Sequence, residues 1–194
     1  MSQLVLVSDT LITTPAAGNL EYNGQFFGTD SNASRAQLQR ITAATAQAST
    51  SGTSIDFTGI PAWVERITVM FSGVSTNGSS TIRLQLGDAG GIETTGYAGT
   101  CTQIGSTVST AYSTSGFDST GDTSSTHTRN GQFVFSLLGS NTWALLGAYN
   151  ISSAFQYLFC GTKTLSDTLT QVRITTVNGT DAFDAGSVNI IYEG

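Results

Sequence analysis

From Ile55 onward, apolar residues recur at every second position. Ile67, Val69 and Phe71 fall on one side of a strand, with Arg66, Thr68, Met70 and Ser72 opposite. Ile82, Leu84 and Leu86 share a face against Arg83 and Gln85. The same period runs through Phe133, Phe135 and Leu137, through Phe155, Tyr157 and Phe159, through Val172 and Ile174, and through Val188, Ile190 and Tyr192. A two-residue period puts alternate side chains on opposite sides of an extended chain, as half-buried antiparallel strands require. Residues 59–78, GIPAWVERITVMFSGVSTNG, predict a strand running into a hairpin turn at Asn77-Gly78. Glycines, Asn-Gly pairs and Ser/Thr clusters separate the strands at intervals suited to a sandwich. The pattern predicts an all-β chain whose residues 51–194 form an antiparallel, jelly-roll-like β-sandwich head.

Two stretches depart from the alternation. In residues 142–151, TWALLGAYNI, both faces are apolar: Trp143, Leu145, Tyr149 and Ile151 on one, Ala144, Leu146 and Ala148 on the other. Such a strand lies at the centre of a core or under a partner chain. Residues 106–131 are polar and nearly free of aliphatic side chains, which predicts a long exposed loop. The first 50 residues are a patchwork: an apolar run Leu4–Val7, a turn-like TTPAAG, and an Asn23-Gly24 hairpin signal between Tyr22 and Phe26. Leu38, Ile41, Thr45 and Ala48 then follow a 3-4-3 spacing, read either as a short helical stripe or as an Ala/Thr/Gln linker.

Composition narrows the function classes. Charged residues make up 10% of the chain, and the formal net charge is −6. The seven basic residues are scattered, so nothing resembles the basic stripe of a nucleic-acid binder or of a protein that docks on an anionic membrane. The N-terminus lacks the basic region of a signal peptide and the length of a membrane span, so no membrane insertion is expected. Cys101 and Cys160 are read as buried thiols rather than as one disulfide.

Catalytic machinery is scarce. A Ser or Cys nucleophile needs an oriented base, and His127 is the only histidine, within the polar stretch. Asp118 with Asp122, or Asp181 with Asp184, could supply paired carboxylates, and Asp88 with Glu93 could join them as oxygen ligands for calcium. All lie among turn formers at spacings that specify neither chemistry. GDAGG at 87–91 lacks the lysine and helix of a phosphate loop. No catalytic residue, metal or cofactor is therefore expected, and the chain is read as a binding protein. Tyr97, Tyr112, Phe117, Trp63 and Trp143 are its aromatic platforms, with the tryptophans better suited to the core.

Three segments resemble bacteriophage tail-fibre proteins. TTPAAGNLEYNGQFFGTDSNASRAQL is similar to a short turn-and-hairpin segment of such fibres. IDFTGIPAWVERITVMFSGVSTNGSSTIRLQLGDAGGIETTGY resembles a module near fibre ends, and LTQVRITTVNGTDAFDAGSVNIIYEG resembles their C-terminal end. The resemblance implies a virion protein made in the bacterial cytoplasm. It implies a homotrimer that attaches to other virion proteins through residues 1–50 and contacts a host surface glycan or protein. It supplies no catalytic residues. Within the head, the polar stretch is the expected receptor contact, through Tyr112, Phe117, Asp118, Asp122, His127 and Arg129. A capsid or tail decoration protein is the alternative, with a glycan depolymerase behind it.

Overall fold

The computed structural model describes residues 10–23, 25–152 and 155–194. The apolar run Leu4–Val7 and Gly24 lie outside them. The chain divides into two compact units at Arg40/Ile41, ahead of the boundary expected at residue 50. The smaller unit holds three short strands, β1 (Leu20–Tyr22), β2 (Phe26–Thr29) and β3 (Arg35–Gln37), paired antiparallel in that order. Tyr22 pairs with Phe26, their rings 5.0 Å apart, so strands do flank the expected turn. Arg35 ties the sheet together through Glu21 at 2.7 Å and through the Ile12 carbonyl.

The larger unit is all-β. Its strands are β4 (Ile41–Ala43), β5 (Gln47–Ala48), β6 (Ser54–Thr58), β7 (Arg66–Thr76), β8 (Ile82–Asp88), β9 (Gly91–Ile92) and β10 (Tyr97–Ile104). They continue as β11 (Val108–Ser113), β12 (Phe117–Asp118), β13 (Arg129–Gly139), β14 (Thr142–Ile151), β15 (Gln156–Thr164), β16 (Gln171–Thr176) and β17 (Phe183–Glu193). A nine-stranded sheet runs β11-β10-β15-β14-β13-β7-β17-β4, with β5 also on β17. A five-stranded sheet runs β12-β8-β16-β6, with β9 on β8. Every pairing is antiparallel, and the inner faces meet in one core, the sandwich that the alternation predicts.

The predicted inner faces are the buried ones. Ile67, Val69, Ile82, Leu84, Leu86, Phe133, Phe135, Tyr157, Val172 and Ile174 have no accessible surface. Phe133 lies at the centre, its ring 5.1 Å from Phe71 on β7, 5.1 Å from Phe159 on β15 and 6.1 Å from Tyr149 on β14. Each such side chain contributes roughly 1.5–3 kcal/mol by leaving water. The β13–β14 hairpin closes on Ser140 and Asn141 with φ of 48° and 58°, the left-handed pair of a type I′ turn.

Four expectations are corrected. Residues 41–48 are neither helix nor linker: β4 and β5 pair with β17, whose open edge offers more hydrogen bonds than so short a helix could keep. Asn77-Gly78 does not close a hairpin. It leads from β7 in one sheet to β8 in the other, because Asn77 exchanges hydrogen bonds with Ala182, at 2.9 Å each way. The Asp181 carboxyl occupies the space a Cβ at residue 78 would need. Cys160 is exposed, unlike Cys101. Cys101 sits opposite Phe159 on the inner face and Cys160 opposite Thr100 on the outer, so no disulfide can join them. Finally, residues 106–131 are not an open loop but supply β11, β12 and the start of β13.

Candidate functional site

At one end of the sandwich, the polar stretch is anchored by a buried ionic knot. Asp122 and Arg129 both have fully buried side chains, and Arg129 Nε donates to Asp122 Oδ2 at 2.5 Å. The Tyr149 hydroxyl donates to the same oxygen at 2.8 Å, and His127 Nδ1 lies 2.8 Å from Oδ1. Arg129 opens β13 and Tyr149 projects inward from β14, so strand register brings these groups under the loop. Burial, and then the Asp122 charge, push the Tyr149 hydroxyl well above its ordinary range. Beside the knot, Gln103 donates to the Tyr157 hydroxyl at 3.3 Å. Its Oε1 fills the space where Gly121 (φ +71°) would carry a Cβ.

The six residues expected to form a contact surface do not share one. Phe117 is a core residue, its ring 5.1 Å from Tyr97 and 5.8 Å from Phe135. Asp122 and Arg129 neutralise each other inside the fold. Asp118 forms a two-pronged ion pair with Arg83, both bonds 2.6 Å, and also accepts from the Ser113 hydroxyl. His127 is partly exposed but turned onto Asp122. Only Tyr112 stands free, with 65% of its surface accessible. Charge density marked the stretch as a surface, whereas these charges find partners within it, as buried charges must.

Around Tyr112 lies a different surface. On the outer face of the nine-stranded sheet, Tyr112 pairs with Thr100, and Thr110 with Thr102, the two hydroxyl oxygens 3.2 Å apart. Thr102 continues across to Leu158, and Ile104 and Val108 are exposed at the hairpin tip. The result is a ledge with one exposed ring beside a row of hydroxyls. The ring offers stacking area, and the hydroxyls both donate and accept. The period-two threonines of residues 97–104 were the sequence signal for this ledge.

Past the ledge, the outer face carries little charge. One row across it reads Ile191, Thr68, Val134, Leu146, Cys160, Thr100, Tyr112. Leu146 is 71% exposed on a central strand, and Val134, Ala144, Gln132, Ser136 and Ala148 line a shallow groove around it. Charge enters with Arg66, which lines one end of the same groove and lies 3.8 Å from Glu193. The five-stranded sheet carries the paired Arg83–Asp118 and, with both bonds under 3 Å, Arg173–Asp56. Of the two apolar faces of β14, the inner is therefore core and the outer is open.

The remaining candidates are structural. Trp143 and Tyr97 are buried, and Trp63 packs on the core edge with its ring 5.8 Å from Tyr192. Asp181 accepts from Asn178 Nδ2 at 2.7 Å and the Ser80 amide at 2.8 Å, which hold its carboxyl below the usual range. Asp184 accepts from the Ser75 hydroxyl. Asp88 and Glu93 share the hydroxyl of Ser166, and Glu93 also meets Lys163. Among the described residues, no three His, Cys, Asp or Glu side chains are grouped to hold a metal. No protein-family model matches the chain, and no curated protein and no solved structure is significantly similar to it.

Proposed function

We propose that this chain is a bacteriophage virion protein, a short fibre or tail-tip component. It forms homotrimers, attaches to other virion proteins through its N-terminal unit, and meets a host surface glycan with the Tyr112 ledge of its sandwich. It performs no catalysis. The charge-poor outer face with its Tyr112 ledge is the observation behind this reading. Exposed apolar area on central strands calls for a covering partner, and an exposed tyrosine among threonine hydroxyls suits a sugar ring. Ile12, Leu20, Phe26 and Leu38 of the smaller unit are likewise exposed, as an attachment segment requires.

A decoration protein that never touches the receptor would use the same apolar face and leave Tyr112 dispensable. Adsorption blocking separates the two. Purified protein should compete with phage for host cells, and Tyr112→Ala should lose that competition with its melting curve unchanged. Full competition by a well-folded Tyr112→Ala moves the receptor contact away from the ledge. No competition by the wild type favours the decoration role.

A further inference from the structure

Lys163 is the only lysine in the chain, and it is buried. It points inward from β15, and register places Trp143 and Tyr97 on either side of it, each 2% exposed. Its Nζ lies 5.3 Å from the centroid of the Tyr97 ring and touches the Glu93 carboxylate. Glu93 is held there from two directions. The Tyr97 hydroxyl donates to its carbonyl at 2.9 Å, and the Ser166 amide donates to Oε1 at 2.7 Å. A second carboxyl completes the group: Asp88, 4% exposed. The Ser166 hydroxyl lies 2.6 Å from Asp88 Oδ2 and 2.9 Å from Glu93 Oε1. A hydroxyl has one proton and donates to one of these oxygens at a time.

A buried amine between two aromatic rings, held against a carboxylate that a backbone amide fixes in place, is arranged for condensation. Proximity supplies what two separate molecules would lack. We propose that Lys163 and Glu93 form an intramolecular amide, a covalent tie between the nine-stranded sheet and the segment that follows β9 on the five-stranded one. The ammonium first passes a proton to Glu93 Oε2, which it touches, leaving a neutral amine. The Nζ lone pair then attacks Cδ, and the Ser166 amide holds the negative charge that develops on Oε1. An N–C bond forms and the C–Oε2 bond breaks. Of the three ammonium protons, one stays on the amide nitrogen and two leave in water with Oε2. No oxidant or co-reactant is needed.

The sole lysine makes the test sharp. Intact-mass spectrometry of the full chain, denatured, should find it lighter by one water. Amine-reactive labelling under the same conditions should then modify only the N-terminal amine. Trypsin should fail to cleave after Lys163, leaving 130–173 joined to 84–129. Lys163→Arg and Glu93→Ala should each restore the mass their sequences predict. The wild type decides the matter even where a variant fails to fold. A mass equal to that of the sequence, with two amines labelled, overturns the proposal and leaves Lys163 and Glu93 as an ion pair.

Discussion

Asp122→Ala should be the most damaging single substitution at the loop end of the sandwich. The carboxylate has no accessible surface and compensates the guanidinium of Arg129, which has none either. Its removal leaves a cation in the core, and takes the acceptor from the Tyr149 hydroxyl and the partner from His127 Nδ1. Breaking a buried pair from one side costs about 3–5 kcal/mol, because the remaining charge can neither be hydrated nor paired. Against a total stability of about 5–15 kcal/mol, that is a large fraction. With a urea slope of about 2 kcal/mol/M, the unfolding midpoint should fall by about 2 M. The measurement is urea unfolding followed by tryptophan fluorescence, with Asp122→Ala compared to the double variant Asp122→Ala/Arg129→Met. Removing both charges should recover a good part of the loss, since Met fills the volume without a charge to strand. A single variant within about 1 kcal/mol of wild type, or a double variant no better than the single, would refute the view that the pair is dry and mutually compensating.

Two further outcomes test the surface and the core. Leu146→Glu should turn an oligomer into a monomer in light scattering while leaving the melting temperature of the single chain nearly unchanged, since the side chain touches little of its own subunit; a wild type that already runs as a monomer would remove the role given to the outer face. In alkali the fold should lose stability: burial pushes Tyr157 and the Cys101 thiol up to about 12, against ordinary values of 10.0 and 9.0, so the unfolded chain releases protons first and stability, full below about pH 9, drains away up to about pH 12. A flat melting temperature between pH 8 and 11 would contradict that burial.

The inner faces of the sandwich were legible because each long strand presents one row to a core and one outward, and a period of two records that directly. Ile67, Val69 and Phe71, or Val172 and Ile174, could hardly be placed otherwise. Which strands share a sheet was not legible. Asn77-Gly78 has the residues of a hairpin turn, and only Ala182 and Asp181, a hundred residues away in the chain, send β8 into the opposite sheet. A local signal cannot register a distant partner.

Residues 106–131 show a subtler limit. A strand at the end of a sheet with both faces open needs no apolar row, so β11 leaves no alternation to find. A buried ion pair spells itself in charged letters, so Asp122 and Arg129 look like surface. Phe117 is the sole apolar contribution of β12 to the core, and one aromatic residue sets no period. Polarity along the chain thus measures how a segment is solvated in isolation, whereas burial is decided by what folds over it. The same reasoning separates Leu146 from Leu145. The two are adjacent, both apolar and on one strand, yet only the second finds its cover within its own chain. Leu146 therefore points to a neighbouring molecule more directly than any charged residue of the polar stretch.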